Sequence, residues 1–99
     1  DENYEDKLQR LLETIEAAQN SIKEVVDGNT CTLEHKVYRV MDTIQDMDDI
    51  LKLQKECEDD AAASSHQDTL KKARIGFQNL KVFINQVSNH PKVLKELYL

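Results

Sequence analysis

The sequence predicts an all-α fold: one antiparallel three-helix bundle with long helices and a short helical tail, filling residues 1–99 as a single domain. Three observations predict it. Apolar residues recur at alternating steps of four and three through three separate stretches, the spacing of one helix face. Only two Gly and one Pro punctuate 99 residues, so the elements should be long. Leu, Glu, Lys, Gln and Ala dominate, all good helix formers, and Trp is absent. A chain of this size buries roughly 65% of its unfolded surface, enough for one core without metal or disulfide support.

Helix one is expected over about 4–26. Tyr4, Leu8, Leu11, Ile15, Ala18, Ile22 and Val25 form its stripe, widened by Leu12 and Val26. Asp1, Glu2, Glu5 and Asp6 stand at its start, where the helix dipole favours negative charge. Asp27-Gly28-Asn29 is a stop, and the short connection that follows joins antiparallel neighbours. Asn29, Thr30 or Thr32 can cap helix two, expected over about 33–58. Its stripe reads Leu33, Val37, Val40, Ile44, Met47 and Leu51, with Met41, Ile50 and Leu53 extending the apolar side and the two methionines read as core filler. The acids of Glu56–Asp60 oppose the dipole and end the helix.

Ala61-Ala62-Ala63 fits either a loop or a continued helix. If helical, it fuses helices two and three, and a homodimer formed by exchange of elements becomes the alternative assembly. Ser64 with Gln67, or Ser65 with Asp68, reads as a fresh cap. Helix three, about 66–88, carries Leu70, Ala73, Phe77, Leu80, Ile84 and Val87, with Ile75, Val82 and Phe83 beside them. Pro91 breaks it, and 91–98 is expected as a short apolar helical tail.

Charge excludes several function classes. A net charge of −6 and a pI near 5.0 argue against nonspecific nucleic-acid binding and against an anionic membrane surface. No apolar run reaches the roughly 20 residues of a bilayer span. The start at Asp1 without Met points to an excised domain. Cys31 and Cys57, at opposite ends of a helix, stand roughly 39 Å apart at 1.5 Å per residue and cannot pair within one chain. Two such thiols suggest a reducing, intracellular and therefore cytoplasmic setting.

The sequence carries no Gly-rich phosphate loop, nucleophile elbow or HExxH. Cys31 and His35 are four apart but lack two further metal ligands nearby. Asp42-Asp46 and Asp48-Asp49 lie on a helix exterior, away from any pocket that would shift a pKa. No catalytic residue, metal or cofactor is expected, and an interaction module is the default reading.

Counted by helix, charge is informative. Residues 1–27 hold eight acids and three bases, 33–60 nine acids and four bases, but 66–90 one acid and four bases. Asp42, Asp46 and Asp49 line the face of helix two opposite its predicted stripe, and Lys71, Arg74, Gln78 and Lys81 line one polar stripe of helix three. Such rows either pair with each other for modest gain or form a two-part docking surface.

LEHKVYRVMDTIQDMDDIL at 33–51 and LKVFI at 80–84 resemble the BAG domain, the chaperone-binding domain of BAG co-chaperones. The resemblance covers nearly the whole chain. It implies that helices two and three grip the nucleotide-binding domain of an Hsp70-class chaperone, hold its cleft open and speed ADP release, a population shift and not a chemical step. Asp42 stands where the family has its first acidic contact. Lys52 stands at the second, with Asp49 as the substitute. Aligned on LKVFI, the family's Arg and Gln fall at Ala73 and Lys81, with Arg74 adjacent. The candidate partner-binding residues are Asp42, Asp46, Asp49, Arg74, Gln78 and Lys81. The rival readings are a syntaxin-type bundle that takes a partner helix in a groove, and a structural coiled-coil or spectrin-like element that self-associates.

Overall fold

The computed structural model of the chain describes residues 3–27 and 32–89. It contains α1 (Tyr4–Asp27), α2 (Leu33–Asp59), a 3-10 turn (Ala61–Ser65) and α3 (Gln67–Ser88). Cross-contacts fix the directions. Arg39 meets Ser21 and Tyr4 meets Cys57, so α1 and α2 are antiparallel. Tyr4 meets His66 while Gln19 meets Gly76, so α1 and α3 run parallel. The up-down-up bundle measures 45 × 23 × 21 Å. The tail expected at 91–98, the stop at Gly28 and the residue Cys31 lie outside the described residues. Among the described residues, no helix is long and apolar enough to cross a membrane.

α1 packs extensively on both neighbours, whereas α2 and α3 pack less closely on each other. Leu8, Leu11, Ile15, Ala18, Ile22 and Val25 are all buried, with Tyr4 and Leu12 packed at the margin. On α3 the buried set includes the whole expected stripe from Leu70 to Val87. Both helices place their apolar stripes as periodicity predicts.

α2 does not. Its buried residues are Val40, Thr43, Ile50 and Cys57, with Met47 and Gln54 half-buried between them. Lys36, Val40, Thr43, Met47, Ile50, Gln54 and Cys57 form an unbroken four-and-three series. The expected stripe took Val40 and Met47 from that inner series. It took Val37, Ile44 and Leu51 from the series one residue on, about 100° around the helix. Ile44 and Leu51 are 49% and 50% exposed, and Met41, read as core filler, is 59% exposed. The inner face is held instead by modest side chains. Thr43 hides its hydroxyl by donating to the Arg39 carbonyl, 2.7 Å away. The Cys57 thiol is wholly buried.

The turn after α2 also departs from expectation. Asp60 caps it, its carboxylate accepting from the Ala62 N–H at 2.9 Å. Ala61–Ala63 therefore turn as a 3-10 segment and do not fuse α2 to α3. Ser64 and Ser65 belong to that turn, so neither caps α3. His66 is the cap residue, without a side-chain cap bond. At α2's start Thr32 does cap, its hydroxyl accepting from the His35 N–H at 3.2 Å. The closed end is tied by Tyr4, whose hydroxyl donates to the Cys57 carbonyl at 3.0 Å, satisfying a last-turn acceptor of α2.

Candidate docking surface

Two residues show which flank of α2 faces which neighbour. Arg39 lies one position before the inner series, and its guanidinium donates to the Ser21 hydroxyl of α1 at 2.9 Å. Glu58 lies one position after it, and its carboxylate accepts from Arg74 Nε of α3 at 2.8 Å. The minus-one flank thus faces α1, and the plus-one flank faces α3.

Asp42, Asp46 and Asp49 share the minus-one flank with Arg39, and all three are exposed. On α3 the same reading applies. Gly76, one position before the core series, touches α1 through Ile15 and Gln19. Lys71, Arg74, Gln78 and Lys81 lie one position after it, on the α2 side, and are exposed. The structure therefore brings Arg74, Gln78 and Lys81 together but separates them from the three aspartates by the breadth of α2. The two rows do not line one seam.

What faces the basic row is the plus-one row of α2: Val37, Met41, Ile44, Asp48, Leu51 and Lys55, again at steps of four and three. α2 and α3 run antiparallel, and the Glu58–Arg74 contact joins the two rows near the closed end of the bundle. The α2–α3 seam is therefore apolar on one wall and cationic on the other. Lys81 lays its ammonium 5.1 Å from the Phe77 ring centroid, which keeps the charge at the mouth of the seam. Arg74 is only partly engaged by Glu58, for its side chain remains 47% exposed. Ile75 and Val82, also exposed, continue the apolar surface beyond the basic row. Sequence reasoning found the basic wall. It missed the apolar wall because it assigned those residues to the core; the one-residue offset between two heptad series was the available signal.

The acid flank has its own electrostatics. Partial burial, then the Asp42 and Asp49 carboxylates, push Asp46 above the ordinary value of 3.8. A folded-state pKa above the unfolded one means the folded chain holds that proton more tightly. Stability from Asp46 therefore falls as pH rises through the window between 3.8 and the raised value, and the ionised group is a cost at neutral pH. Asp46→Asn should accordingly raise the melting temperature at neutral pH, and the gain should vanish below the ordinary carboxylate range. Thermal melts of both proteins across that window check the sign; a lower melting temperature for the variant at neutral pH would contradict it.

A concavity of about 290 Å³ opens at the first turn of α2, lined by Glu34, His35 and Tyr38. Among the described residues, no group of three His, Cys, Asp or Glu is gathered to hold a metal. Burial pushes the Cys57 thiol up, away from nucleophilic use. No family model, curated protein or solved structure matches the chain.

Proposed function

We propose that this chain is a protein-docking module whose working face is formed by α2 and α3 and which acts by binding, not by chemistry. One observation carries the proposal: a heptad row of exposed apolar side chains on α2, including Met41, Ile44 and Leu51, stands beside the basic row of α3. A row of large apolar groups kept half in water is costly to maintain on a lone domain, and rows of this kind mark interaction surfaces.

The BAG resemblance gives the proposal its specific form: a co-chaperone that binds the nucleotide-binding domain of an Hsp70-class chaperone and promotes ADP release. The three-helix architecture and the exposure of Asp42, Asp46, Asp49, Arg74, Gln78 and Lys81 support it. Because the acids stand on one flank of α2 and the basic row of α3 lies beside the other, such a partner has to straddle the outward surface of α2. The test is release of labelled ADP from the isolated nucleotide-binding domain. Saturable acceleration is expected, reduced about tenfold or more in potency by Asp42→Lys and by Arg74→Glu, with unchanged helical spectra. Either reversal also leaves folding nearly intact, since exposed pairs such as Arg74–Glu58 contribute about 0–1 kcal/mol. No acceleration by a folded chain removes the chaperone partner.

The groove-binding reading draws on the apolar part of that same face, the Met41, Ile44 and Leu51 row, which the clamp of charged residues does not use.

A further inference from the structure

We infer that the α2–α3 seam is a seat for a fourth helix, supplied by a partner protein and carrying a row of carboxylates along one edge of its apolar stripe. The inference rests on the docking reading and names the partner's chemistry.

The spacing argues for a helix. Val37, Met41, Ile44, Leu51 and the aliphatic stem of Lys55 repeat at the heptad steps of the inner α2 series. Apolar residues at that period fit the side of another helix, which presents its own stripe every three or four residues. The inner series is occupied by α1 and α3; in the outer one Val37 packs at the margin of the core, while Met41, Ile44 and Leu51 stand about half or more exposed. From Val37 to Lys55 the row is about 27 Å long, so a partner helix of about 18 residues spans it.

Charge argues for acids on the partner. Lys55, Lys71 and Lys81 flank the seam, while its two carboxylates are each met by a base, Glu58 by Arg74 at 2.8 Å and Asp48 by Lys52 at 3.3 Å. The edge that a docked helix meets on α3 is therefore cationic, although the chain as a whole is at −6. The aspartates that account for part of that charge stand on the far flank of α2, away from the seam. A helix with lysines along that edge is repelled here; one with Glu or Asp is matched.

The test is selection of a randomised helical-peptide library on the intact chain, followed by fluorescence anisotropy of the recovered peptides. The expected peptides carry an apolar three-four stripe with Asp or Glu along one edge. Their amide-shift footprint should fall on α2 from Val37 to Lys55 and on the basic row of α3. Ile44→Glu should weaken them about tenfold or more and Lys81→Glu several-fold, while Glu16→Lys on α1 leaves them unchanged. Peptides with a basic edge, or a footprint on Asp42, Asp46 and Asp49, would overturn this seat while leaving a docking module. A sedimentation mass of two chains that Ile44→Glu returns to one would hand the seam to a second copy and overturn it equally. If no peptide is recovered and ADP release is also unaffected, both the seat and the docking reading fall.

Discussion

Ile50→Ala should cost about 3 kcal/mol of stability, and Leu51→Ala, its immediate neighbour, less than about 1 kcal/mol. Ile50 is 1% exposed and Leu51 is 50% exposed. Truncating Ile50 removes a γ-methyl, a methylene and a terminal methyl from a packed interior, and the residual cavity adds to the lost transfer energy. Truncating Leu51 removes groups that already touch water. For a domain of this size 1 kcal/mol moves the melting temperature by roughly 4–8 °C, so the two variants should separate by about 8 °C or more. Urea unfolding should show the shift in midpoint with an unchanged slope. The reverse ranking, with Leu51→Ala the more damaging, would restore the stripe that periodicity alone predicts for α2 and would close the seam described above.

That pair of residues also shows where the sequence was legible. α1 and α3 each carry a single strong apolar series, so hydrophobic period alone identifies their buried faces from Leu8 to Val25 and from Leu70 to Val87. α2 carries two series one residue apart. The inner one includes Thr43 and Gln54, which add little to an apolar pattern, and Gln54 even leaves its Oε1 without a hydrogen-bond partner. The outer one includes Met41, Ile44 and Leu51. A pattern search therefore settles between them and lands partly on the wrong face. What decides the rotation is tertiary. Arg39 reaches Ser21, Tyr4 reaches the Cys57 carbonyl and Glu58 reaches Arg74, and none of these is a periodicity signal.

The same ambiguity shaped the candidate site. Asp42, Asp46 and Asp49 form a row in sequence, and Arg74, Gln78 and Lys81 form another. That both rows are exposed follows from spacing, because each stands off its own helix's apolar face. Whether they share a seam depends on the roll of α2, which spacing does not determine. The turn was illegible for a related reason. Ser64 and Ser65 have the composition of a helix cap, but Asp60 captures the Ala62 N–H first and winds the intervening residues into a 3-10 turn.

Gly76 is the position at which a single added side chain should do most damage. Glycine in a helix interior ordinarily costs about 1 kcal/mol relative to alanine, so Gly76→Ala viewed locally should stabilise α3. A Cβ at this position would lie 2.7 Å from Ile15 Cγ2 and 3.4 Å from Gln19 Nε2. Ile15 is itself buried, its γ-methyl is fixed to a branched Cβ, and Gln19 Nε2 donates to the Gly76 carbonyl at 3.0 Å, holding the two backbones together. Relief requires α1 and α3 to separate, and overpacking of this kind costs about 1–3 kcal/mol, which exceeds the propensity gain. Gly76→Ala should therefore destabilise modestly, and Gly76→Leu, which adds three further carbons at the same contact, by about 4 kcal/mol. A double-mutant cycle isolates the cause. Ile15→Ala alone should cost about 3 kcal/mol, but in that background the clash is gone, so adding Gly76→Ala should become neutral or stabilising, a coupling of about 1–2 kcal/mol. Urea midpoints of the four proteins measure it. A stabilised Gly76→Ala single variant, or additive effects in the pair, would mean that α1 and α3 are not held in this close crossing and that the rotation assigned to both helices is wrong.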